Sequence, residues 1–111
     1  MKIVINKRFV PKGYSGISLF PFVVLAKAEY KENKVLLNHE AIHIQQQKEL
    51  LVLPFFIWYG LNYLYNLFKY KNHREAYRNI VFEREAYGNQ SDLEYLKNRK
   101  RYAFKKYLKR F

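Results

Sequence analysis

From Leu50 to Phe68 the chain runs nineteen residues without a charged side chain. By length alone such a run is a transmembrane candidate, and every other reading of the chain has to accommodate it. It contains Pro54, Gly60, Asn62 and Asn66, and Lys or Arg flank it on both sides, so charge gives no orientation across a bilayer. A buried or membrane-surface helix is the preferred reading. The aromatic side chains Phe55, Phe56, Trp58, Tyr59, Tyr63, Tyr65 and Phe68 then read first as core packing. Their second reading is the lining of an apolar cleft or a membrane-facing edge.

The reason to prefer a non-spanning helix lies in what stands on either side of it. From Val35 the pattern is helical and carries His39-Glu40-Ala41-Ile42-His43, then Gln45-Gln46-Gln47, until Pro54 interrupts or kinks it. Histidines four residues apart on a helix project from one face, and both can reach one ion at roughly 2.0–2.1 Å. Glu40 lies about 100° around the helix from His39, beside such an ion but poorly placed to ligate it. That position suits a general base, which takes a proton from an attacking water and passes it to a leaving amine. The chain has no cysteine, so a third ligand must be His, Asp or Glu. After the apolar run the carboxylates are Glu75, Glu83, Glu85, Asp92 and Glu94, and His73 is a weaker candidate. A spanning helix would place these across the bilayer from His39 and His43. The metal reading and the spanning reading therefore exclude each other.

His-Glu-x-x-His followed by Glu83-Arg84-Glu85-Ala86 resembles the gluzincin group of metallopeptidases, in which a second helix supplies a glutamate in an E-x-x-A pattern. The resemblance implies Zn2+ as cofactor and His39, His43 and Glu83 as its ligands. It also implies Glu40 as the catalytic base and a peptide or protein as substrate. Ala86 lies one turn on from Glu83, and a small residue there lets the two helices approach closely. Glu85 is the alternative third ligand. The likeness is greatest to membrane-bound members whose glutamate motif ends in Asp, where this chain has Tyr87. The longer pattern His-Glu-x-x-His-x-x-Gln, completed by Gln46, is similar to several small bacterial zincin-like proteins and names no substrate. Gln46 lies on nearly the same face as His39 and is placed either to hydrogen-bond a ligand or substrate, or to form a solvated polar turn. Tyr77, Tyr87 and Arg84 are candidates for assisting an oxyanion.

The remaining chain fills in the architecture. Residues 2–10 and 17–28 are rich in β-formers and are separated by Pro11-Lys12-Gly13-Tyr14-Ser15-Gly16, which reads as the turn of a two-stranded hairpin. At 111 residues the chain can bury one core. The expected fold is a single α+β minimal zincin-like domain over 1–111. It comprises a β-hairpin (1–30), the histidine helix (35–50), an apolar helix (50–70), a glutamate helix (73–88) and a basic C-terminal helix (91–111). The formal charge is +12, and residues 97–111 hold eight Lys or Arg and no acid. With Leu96, Ala103, Phe104, Tyr107, Leu108 and Phe111 at helical spacing, this tail reads as amphipathic, one face docking on the domain and the other facing solvent or an anionic surface. Peripheral membrane association is the partner expected of it, rather than nucleic acid. Met1 to Val10 lacks the continuous apolar core of a signal peptide, so a cytoplasmic or inner-membrane-face location is expected. The alternative to a zinc-dependent hydrolase is a non-enzymatic membrane-surface or nucleic-acid-binding module with a structural or vestigial zinc site.

Overall fold

The computed structural model describes residues 1–110, with the side chains of 109 and 110 left aside; Phe111, assigned above to the basic tail, lies outside the described residues. A mixed three-stranded sheet is followed by a helical region. Strands β1 (Lys2–Ile5), β2 (Gly16–Leu19) and β3 (Phe22–Leu25) stand in the order β1-β3-β2. β1 runs parallel to β3, and β2 runs antiparallel to it.

The hairpin is therefore not the one expected from the turn residues 11–16. The chain reverses at Phe20-Pro21, inside the second β-rich run, and β2 pairs with β3 across that reversal. Pro21 has no N–H to give a ladder, so one continuous strand over 17–28 is disfavoured. Its carbonyl instead accepts from the Lys2 amide at 2.8 Å, which seats β1 on the far side of β3.

Helix α1 (Lys34–Leu50) begins at Asn33, whose side chain accepts from the Leu36 amide. It lies between two layers. Ile44, with Leu36 and Leu37, packs on Val23 and Leu25 of the sheet, while the opposite side meets α4 (Val81–Asn89). α1 ends at Leu51, which has φ 62, and the following α2 (Val52–Tyr70) leaves at 112°. Pro54 is thus not the breaker. It sits in the first turn of α2, where an amide N–H has no helical acceptor to lose. Lys71, with φ 55, ends α2, and Asn72 caps α3 (His73–Arg78) through the Glu75 amide.

Where a single glutamate helix was expected over 73–88, the chain breaks at Asn79 and Ile80 into α3 and α4. The basic tail is likewise divided into α5 (Tyr95–Asn98) and a 3₁₀ helix (Ala103–Arg110). The physical reason is Arg99. Its guanidinium is drawn into the protein, where it pairs with Glu85 and Glu49, and the turn this requires includes Tyr102 at φ 60. The main core joins α2, α4 and the tail through Phe55, Ile80, Val81, Phe82 and Phe104, with Trp58 and Tyr107 at its border.

Candidate metal centre

Both ends of α4 are held by side chains from other helices. At its start, Asn62 of α2 accepts from the Val81 amide at 2.9 Å. At its end, Asn38 of α1 reaches the carbonyls of Asn89, Gln90 and Asp92. These satisfy groups that a helix terminus leaves without partners, and they fix the rotation of α4 so that Glu83 faces α1.

The result is a tight triangle. Glu83 Oε1 lies 3.1 Å from His39 Nε2 and 3.1 Å from His43 Nε2, and the two Nε2 atoms are 3.2 Å apart. All three residues are buried. Ligand bonds of roughly 2.0–2.1 Å in a tetrahedron put neighbouring donor atoms about 3.3–3.4 Å apart, so the triangle has nearly the size that a zinc ion requires.

Hydrogen bonding on the far side of each ring gives the chemistry of the donors. His39 Nδ1 lies 2.8 Å from Gln90 Oε1, and His43 Nδ1 lies 2.8 Å from Gln46 Oε1. Amide oxygens only accept, so each Nδ1 carries its proton and donates it. Gln46 is fixed in this orientation because its Nε2 donates to the Phe82 carbonyl and to Glu85 Oε1. In the neutral rings both Nε2 lone pairs then point at a carboxylate oxygen. Such a donor set calls for a cation, and partners of this kind orient histidine ligands in metal sites. Glu83 Oε2 in turn accepts from the Tyr59 hydroxyl at 2.7 Å.

Without a metal, a proton serves as the cation. Burial pushes the His43 pKa down, but the Glu83 carboxylate beside it outweighs burial and holds it up at about 9. Burial would raise Glu83, yet His43 and His39 draw it well below the usual carboxylate range. Burial, reinforced by Glu83, raises Tyr59 so that it stays a hydroxyl donor.

Glu40 lies outside the triangle and beside a cleft of about 130 Å³ that it shares with His43, Glu83, Ser18, Tyr14 and Tyr77. The Ser18 hydroxyl of β2 lies 2.6 Å from its Oε1. The cleft has room for a few waters or one small group beside the triangle.

The other candidates divide. Glu85 is two residues from Glu83, hence about 200° around α4, and it bonds Gln46, Tyr95 and Arg99 rather than entering the triangle. His73 is held between the hydroxyls of Tyr14 and Tyr63, at 2.9 Å each. Arg84 reaches Asn79 and the Tyr107 carbonyl, outside the cleft lining. Tyr87 packs edge-on against His39 and under the Arg78 guanidinium, while Tyr77 lines the cleft. Gln90, Ser18 and Tyr14 went unnoticed in the sequence as site residues, and Tyr59 was read only within the aromatic run that packs the core or lines an apolar cleft. Each acts across a long stretch of chain, and only Tyr14, next to Gly13 in a turn-rich segment, offered even a weak signal.

Two histidines one turn apart on one helix and a glutamate from a second helix form the gluzincin arrangement. Comparison of the chain with protein-family models, curated proteins and solved structures gives no match.

Proposed function

We propose that the protein is a zinc-dependent hydrolase that cleaves peptide bonds, with His39, His43 and Glu83 holding the ion and Glu40 acting as general base. The observation that carries this reading is the triangle of two Nε2 lone pairs and one carboxylate oxygen, with a second carboxylate beside it on an open cleft. When bound, zinc supplies a Lewis acid and brings the pKa of a water toward neutrality.

The chain's own groups supply the rest. Glu40 takes a proton from the attacking water and returns it to the leaving nitrogen, while the Ser18 hydroxyl restrains its carboxylate. β2 is an edge strand and lines the cleft at Gly16, Ile17 and Ser18, so an extended peptide can lie along it by strand addition. Gln47 already occupies the next part of that edge, bonding the Ser18 carbonyl and the Phe20 amide, which sets where a bound strand must end. Of Tyr77, Tyr87 and Arg84, the candidates for assisting an oxyanion, Tyr77 lines the cleft, together with Tyr14, and these two hydroxyls are the ones assigned that role. The proposed location is cytoplasmic, or peripheral at the inner face of a membrane.

A structural zinc site is the second reading, favoured by the burial of all three ligands. Glu40→Gln separates the two. It should retain zinc and fold while abolishing hydrolysis of an unstructured protein substrate such as casein. Retained turnover would remove Glu40 from the chemistry, and no turnover by zinc-loaded wild type across a panel of peptides would favour the structural reading.

A further inference from the structure

α2 packs Phe55 and Trp58 into the core, yet its outward face is apolar too, and its few polar side chains are kept from that face. Asn62 and Asn66, the side-chain amides of the apolar run, are each 2% exposed and bond the Val81 amide and the Ala76 carbonyl. The Tyr59 hydroxyl also turns inward, to Glu83, while that of Tyr63 bonds the exposed His73 of α3. Outward stand Leu53 (70% exposed), Ile57 (55%), Leu61 (63%), Leu64 (52%) and Phe68 (83%). Their spacing of three and four residues makes them one continuous face. A helix bordering water instead presents polar and charged side chains on its outward face. Polar-in and apolar-out is the arrangement of a helix bordering hydrocarbon, and an apolar face of this length marks an interaction surface.

Charge decides what covers it. The chain carries +12, so apposing this face on two copies brings two strongly cationic molecules together, whereas an anionic bilayer attracts them. Lys69 and Lys71 are exposed at the C-terminal end of α2, next to Phe68, where they can reach phosphates while the side chains before them enter the acyl region. Among the described residues no single helix is long and apolar enough to cross a membrane, and the inner side of α2 is committed to α3, α4 and Glu83. We propose that α2 lies flat in the interfacial layer of an anionic phospholipid bilayer, with Leu53, Ile57, Leu61, Leu64 and Phe68 among the lipid chains. Phe56, 38% exposed beside that face, also lines the metal cleft, so docking brings the cleft to the membrane surface. The docking itself depends on neither metal nor hydrolysis.

Co-sedimentation with phosphatidylcholine vesicles, with and without phosphatidylglycerol, tests this. The wild-type chain should pellet with the anionic vesicles. Leu61→Gln/Leu64→Gln should lower its vesicle affinity by at least about tenfold at an unchanged melting temperature, since both side chains project away from the core. Glu40→Gln should bind as wild type does, which keeps this test separate from that of the hydrolase reading. The proposal is overturned if wild type stays in the supernatant, or if the double variant binds equally well and charge alone holds the protein there. It is also overturned if wild type without lipid sediments as a dimer that the double variant dissociates, which would assign the face to a second copy.

Discussion

At His43, burial and the Glu83 carboxylate act in opposite directions, and the carboxylate prevails, holding the imidazole pKa at about 9 against an ordinary 6.5. At pH 7 the metal-free protein therefore carries a proton where the ion is proposed to sit, and zinc must displace it. Zinc binding at that pH should release about one proton per ion, seen calorimetrically as a binding enthalpy that varies with the ionisation enthalpy of the buffer. An enthalpy independent of buffer would contradict the coupling. The sign for stability follows from the same shift. A pKa raised on folding gives a contribution fully present below pH 6.5 and lost as pH rises through about 9. Metal-free protein should therefore lose denaturant stability over that interval, and His43→Ala should not show this loss. Gln46 is the neighbour that fixes the His43 ring, so Gln46→Ala should weaken zinc binding about 10–100-fold with all three ligands intact, measured by competition with a chelator.

Among the elements, α4 carries the site because other helices hold its ends. Asn62→Ala leaves the Val81 amide buried without its acceptor and should cost about 1–3 kcal/mol in denaturant unfolding. A loss well below that would mean the cap is dispensable. How far these elements could be read from the sequence varies with the range of the forces involved. His39 and His43 were legible because helical periodicity is local, and Glu83 through the resemblance of Glu83-Arg84-Glu85-Ala86 to the gluzincin E-x-x-A pattern, since spacing alone did not exclude Glu85. The breaks at Asn79–Ile80 and Arg99–Tyr102 were not legible, since they answer to tertiary partners. Arg99 leaves a helical pattern in order to pair with Glu85 and Glu49, fourteen and fifty residues away. The sheet was misread for a related reason. The turn residues at 11–16 gave a stronger local signal than the single Pro21, yet β1 joins β3 by a parallel pairing that no short-range pattern announces. Ser18, Tyr59 and Gln90 touch the site across 22, 24 and 51 positions, and such contacts have no periodicity to detect.

For the molecule as a whole, two carboxylates on one helix have separate duties. Glu83 joins α4 to α1 through the proposed ion, while Glu85 joins the same helices to the tail through Gln46, Tyr95 and Arg99. Read only as the alternative third ligand, Glu85 would matter for zinc alone, and Glu85→Ala would leave the metal-free fold unchanged. The structure instead has that change strand a buried guanidinium with one partner fewer, at a cost of about 3 kcal/mol in unfolding free energy. Glu83→Ala should remove zinc and, in the metal-free protein, also strip the His43 imidazolium and the Tyr59 hydroxyl of their buried partner. The most direct test of the metal centre is the zinc content of purified chains after loading and exhaustive dialysis. Wild type and Glu40→Gln should each retain about one zinc per chain, and His39→Ala, His43→Ala and Glu83→Ala should retain essentially none. Full occupancy in His43→Ala, or an empty wild-type protein, would contradict the account.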